Sequence, residues 1–96
     1  MKTRDEIMAY LSASLERFSR DYTVRRIGVF GSTARGEAGE ESDVDVLVEM
    51  SEPTFDRYMD LKFELEDAFG MPVDLVMADT LKKRLRPVIE REVVYA

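Results

Sequence analysis

Two β-patterned runs, DVDVLVEM at 43–50 and VDLVM at 73–77, are separated by a stretch with helical periodicity, and that order admits few folds. In the first run Val44, Val46, Val48 and Met50 share one face, because side chains alternate along a strand; Asp43, Asp45, Leu47 and Glu49 share the other. Ser51 to Thr54, with Pro53, supplies a helix start, and Tyr58, Leu61, Leu65, Ala68 and Phe69 mark its buried face. Gly70 and Pro72 stop it, the first as a left-handed cap and the second because its ring cannot continue a helix. A connection through a helix of about four turns suits two parallel strands, not a hairpin.

The rest of the chain fits around this unit. Thr3 and Glu6 have capping-box spacing, and Ile7, Tyr10, Leu11, Leu15 and Phe18 then line one face of a helix through about Arg20. Val24 to Phe30 reads as a strand closed by Gly31 and Ser32, followed by at most a helical turn at Thr33 to Arg35 and then a loop whose length suits an antiparallel return. After the third strand, Val73 to Met77, Asp79 or Thr80 can cap a last helix carrying Leu81, Leu85, Val88 and Ile89, kinked or restarted by Pro87. The predicted fold is α/β (α+β): a small mixed β-sheet of about three strands with helices packed on one face. With 96 residues the chain is expected to form one domain, 1–96.

Composition narrows the chemistry. Cysteine and histidine are both absent, which removes thiolate nucleophiles, Ser-His-Asp and Cys-His mechanisms, and imidazole metal sites. Catalysis must use carboxylates, hydroxyls, Lys or Arg, and a hard metal that prefers oxygen. The formal charge of -6 opposes a direct nucleic-acid partner, although Arg25 with Arg26, and Lys82, Lys83, Arg84 and Arg86, cluster locally; the second group reads as a solvated helix face. Asp5 and Glu6 interrupt any signal-peptide core, and no apolar run approaches the roughly 20 residues of a membrane helix. A cytoplasmic protein without membrane contact is expected.

With the strand directions above, three features should meet at one end of the sheet: Gly31 and Ser32 after the first strand, Asp43 and Asp45 at the start of the second, and Asp74 at the start of the third. Three carboxylates without a basic partner repel one another unless a cation neutralises them, and Mg2+ suits such oxygen donors. Taken singly, each has a plainer reading. Asp43 and Asp45 could be the polar face of an amphipathic strand, Asp74 an exposed strand residue, and Gly31-Ser32 an ordinary turn. Arg35 could meet phosphate oxygens or bridge to Glu37 or Glu40.

Taken together, Gly31, Ser32, ten residues and then Asp43-Val44-Asp45 give the pattern GSx10DxD within GSTARGEAGEESDVDVLVEM. This resembles the signature of the DNA polymerase beta-like nucleotidyltransferase superfamily, in its minimal nucleotidyltransferase (MNT) branch. Arg35, Gly36 and Ser42 fall in register too, Asp74 in VDLV also matches, and the resemblance covers nearly the whole chain. It implies a nucleotidyltransferase (polymerase beta-like) fold, with Asp43, Asp45 and Asp74 as catalytic residues holding Mg2+, two ions in all. Gly31 and Ser32 would contact the triphosphate of ATP, the substrate, and Arg35 belongs to the same nucleotide-binding motif.

Proteins of this kind resemble the antitoxin half of HEPN/MNT toxin-antitoxin pairs. That resemblance implies a protein adenylyltransferase, or AMPylase, that adds AMP to a tyrosine of a HEPN ribonuclease toxin and neutralises it within a hetero-oligomer. Larger relatives carry a further domain to position the acceptor; here the acceptor is expected to bring its own docking surface, against exposed apolar residues of the terminal helices. The alternatives are an antitoxin that acts by binding alone, or a nucleotidyltransferase acting on a small molecule or nucleic acid.

Overall fold

The computed structural model describes residues 3–36 and 43–96. Helix α1 (Arg4–Tyr22) starts from the expected capping box: Thr3 Oγ1 accepts from the Glu6 N–H at 3.2 Å, and Glu6 Oε1 accepts from the Thr3 N–H at 3.1 Å. It runs to Tyr22 and ends on Thr23, whose left-handed φ of 58° turns the chain into β1 (Val24–Val29). A short helix α2 (Gly31–Arg35) follows at once, beginning at Gly31 itself, two residues before the expected turn. Then come β2 (Val44–Met50), α3 (Phe55–Phe69) capped by Thr54, and β3 (Val73–Met77).

The last third departs from expectation. A 3-10 turn at Ala78–Thr80 replaces the expected helix start, and α4 forms only over Arg86–Glu92. Pro87 sits in its first turn, where no backbone donor is lost, so proline restarts the helix and Leu81 lies outside it. The Thr80 hydroxyl donates back to the Met77 carbonyl at 2.8 Å and caps nothing. Leu85 and Val88 are exposed, and Lys82, Lys83 and Arg84 lie in the turn before α4, not on a helix face.

The sheet has four strands in the order β3-β2-β1-β4. β2 runs antiparallel to β1 and parallel to β3, as expected from the two kinds of connection. The additional strand, β4 (Val94–Tyr95), pairs antiparallel with β1 at Gly28 and Val29. Gly28 makes that approach possible, since a Cβ there would stand 2.5 Å from the Val94 carbonyl oxygen. The outer edge of β3 is closed by side chains: Tyr58 OH donates to the Leu75 carbonyl, and Glu66 Oε2 accepts from the Val73 N–H at 3.1 Å.

Helices α1 and α3 cover one face of the sheet. Leu11 and Phe18 from α1, and Leu61 and Leu65 from α3, pack on Ile27, Val29, Val46 and Val48, all fully buried. Each such side chain contributes about 1.5–3 kcal/mol relative to exposure. Across this layer Glu64 of α3 accepts hydrogen bonds from Arg17, from Tyr10 OH at 3.1 Å and from Tyr22 OH at 2.8 Å. Leu47 points away from the cluster and is buried as well, so the second face is not bare. No helix among the described residues is long and apolar enough to cross a membrane.

Candidate active site

The site is set by the point where β1 leaves the sheet. Beyond Val29, which pairs with Val46, the ladder loses its regular partner for Asp45. The chain replaces it with the start of α2. The Phe30 N–H donates to the Asp45 carbonyl at 3.1 Å, and the Thr33 hydroxyl accepts from the Asp45 N–H at 3.0 Å. On its other side Asp45 is the register partner of Asp74 in the parallel pair. Gly31, Ser32, Asp45 and Asp74 are thereby gathered at one end of the sheet. Asp43, expected as a strand residue, instead stands just before β2 and is exposed.

Gly31 has a structural reason to be glycine. Its φ is +59°, and a Cβ there would lie 2.7 Å from Asp45 Oδ2. Gly36 closes α2 with a φ of 72°, its N–H donating to the carbonyls of Ser32 and Thr33. Ser32 is half-buried, whereas Thr33 and Ala34 face inward.

Asp45 is the carboxylate most affected by its surroundings. Burial pushes its pKa up, and the negative charges of Asp74 and then Asp43 push the same way; Arg35 opposes them, and Glu92 adds to them. Arg35 pairs with Glu92 of α4 at 3.2 Å. Glu37 and Glu40, the partners considered for Arg35, and Ser42 of the motif lie outside the described residues.

Among the described residues, no three acidic side chains close into a finished cation site. The donors still fit Mg2+, which keeps several waters and is commonly held by one or two carboxylates together with substrate phosphates, not by an all-protein cage. Burial is the larger cause of the raised Asp45 pKa, and the negative charge of Asp74 and Asp43 that adds to it is what a cation would offset.

Two residues of this neighbourhood carried no signal in the sequence. Thr33 falls within the unspecified stretch of GSx10DxD, and its role depends on a hydrogen bond to a residue 12 positions on. Glu92 meets Arg35 across a separation of 57 residues.

The sequence and the fold are both matched by known proteins. The chain belongs to the nucleotidyltransferase domain family, whose model matches residues 11–96. Within that family it is similar to the protein adenylyltransferase MntA of Thermococcus cleftensis, with 45% identity covering 99% of this chain and 97% of that protein. A solved structure of a candidate minimal nucleotidyltransferase superposes with a TM-score of 0.85 at 38% identity, covering 97% of this chain and 95% of that one. A chain from the complex of tri-AMPylated Shewanella oneidensis HEPN toxin with MNT antitoxin shares the fold. Its TM-score is 0.63 at 19% identity, over 92% of this chain and 70% of that one.

Proposed function

We propose that this chain, acting as a single domain of residues 1–96 in the cytoplasm, transfers AMP from ATP to a tyrosine of a HEPN-type ribonuclease and so neutralises it. The observation that carries this reading is the convergence of Gly31, Ser32, Asp45 and Asp74 at one sheet end. It occurs in a chain 45% identical, over nearly its full length, to a protein adenylyltransferase.

Asp43, Asp45 and Asp74 are the residues to hold Mg2+, and Gly31, Ser32 and Arg35 are those to meet the triphosphate. Bound there, Mg2+ would neutralise charge on the phosphates as the transition state forms. The acceptor is a phenol, a weak nucleophile while protonated because its ordinary pKa is about 10. Its oxygen forms a bond to the α-phosphorus, the bond from that phosphorus to the β-phosphate oxygen breaks, and pyrophosphate leaves. The phenolic proton passes to a carboxylate, for which Asp74, exposed at the start of β3, is the candidate.

The test is to mix the chain with the HEPN-type protein encoded beside it, ATP and Mg2+, and to measure intact masses. The partner should gain AMP and lose ribonuclease activity. Neither should occur when its acceptor tyrosine is changed to Phe, nor with Asp45→Asn in this chain. Efficient labelling of RNA or a small molecule with an unmodified partner would contradict the proposed acceptor; full transfer by Asp45→Asn would contradict the site.

A further inference from the structure

We infer that Thr33 is a positioning residue for Asp45, setting the carboxylate through its backbone; the inference rests on the nucleotidyltransferase reading of this site. A strand residue with no neighbour on one side normally gives its N–H to water. Asp45 cannot do so, because α2 folds over that side. Its N–H is instead received by Thr33 Oγ1 at 3.0 Å, while its carbonyl accepts from Phe30 N–H at 3.1 Å. The hydroxyl of Thr33 thus takes the place of the ladder partner that β1 supplied as far as Val29.

Thr33 is only 2% exposed, so its bond to Asp45 is shielded from water. The backbone N–H of Asp45 is therefore held by Thr33 of α2, which also carries Gly31 and Ser32, and its carbonyl by Phe30, the residue just before that helix. Gly31 lies so close to Asp45 Oδ2 that small shifts of this peptide alter the spacing between the carboxylate and the turn. A valine at position 33 keeps nearly the shape of threonine but offers no acceptor, which leaves the Asp45 N–H buried and unpaired or forces the peptide to move. A serine keeps the acceptor.

The experiment follows Mg2+-dependent binding of a non-hydrolysable ATP analogue, which needs no protein acceptor. With Thr33→Val, the Mg2+ concentration for half-maximal binding should rise about 10-fold or more, as when the outer support of a metal ligand is removed. Thr33→Ser should stay close to the parent. In transfer assays well below each melting temperature, Thr33→Val should lower kcat more than it raises KM for ATP. If Thr33→Val melts below the assay temperature, Thr33→Ala removes the same acceptor and carries the same expectation. Unchanged Mg2+ dependence in the variant without the hydroxyl would overturn the inference, as would a Thr33→Ser variant impaired to the same degree. Absence of Mg2+-dependent binding by the parent chain would instead count against the nucleotidyltransferase reading itself.

Discussion

At the scale of single residues, Gly31 joins backbone conformation to site chemistry. A side chain there meets two separate penalties: a left-handed φ of +59°, and an approach of 2.7 Å to Asp45 Oδ2. The first costs about 1–3 kcal/mol for a non-glycine residue. The second acts on function, because the carboxylate must rotate away or the turn must lift off β2. Gly31→Ala should therefore lower the melting temperature and also weaken Mg2+-dependent ATP binding in the fraction that remains folded. Thermal melting and nucleotide binding on the same preparation check this. A variant that melts earlier but binds normally would show that Gly31 serves only the turn.

At the scale of elements, the contact between α1 and α3 is both apolar and charged. Glu64 lies at its centre, its pKa held down chiefly by the Arg17 hydrogen bond, against the opposing effect of burial, with Tyr22 and Tyr10 helping. A depressed carboxylate stabilises the fold above its unfolded pKa and loses that contribution as pH falls through the folded value. The Tyr22 hydroxyl is pushed up to about 12 by burial and by Glu64, so its contribution is complete below its unfolded value near 10 and lost as pH rises toward 12. Glu64→Gln should lower the melting temperature by several degrees at neutral pH and flatten its decline in mild acid. Melting curves from about pH 3 to 7, spanning the ordinary Glu range, measure both. An acid limb as steep as the parent's would remove Glu64 from the account. These elements were legible in the sequence because α1, α3 and β2 each carry an apolar period within their own residues, and Gly70 and Pro72 mark the end of α3 from just beyond it. β4 was not: two residues, Val94 and Tyr95, form a strand only because Gly28 lets them approach β1. Asp45 and Asp74 could be brought together from strand direction alone, whereas the Thr33 and Glu92 contacts depend on how α2 and α4 come to rest.

At the scale of the whole molecule, the sheet divides the work. α1 and α3 bury the core on one face, and the end where β1 gives way to α2 gathers the carboxylates. The net charge of -6 opposes the affinity that a nucleic-acid backbone draws from Lys and Arg contacts, and the proposed acceptor is accordingly a protein. The central claim is that the group transferred is AMP and that a protein receives it. Two preparations of ATP, one labelled at the α-phosphorus and one at the γ-phosphorus, separate that reaction from phosphate transfer when each is incubated with Mg2+, this chain and its HEPN-type partner. The account predicts label on the partner from the α-labelled nucleotide alone, with the γ label recovered in pyrophosphate. Label on the partner from the γ-phosphorus, or none from either nucleotide while the partner loses its activity on binding, would contradict it.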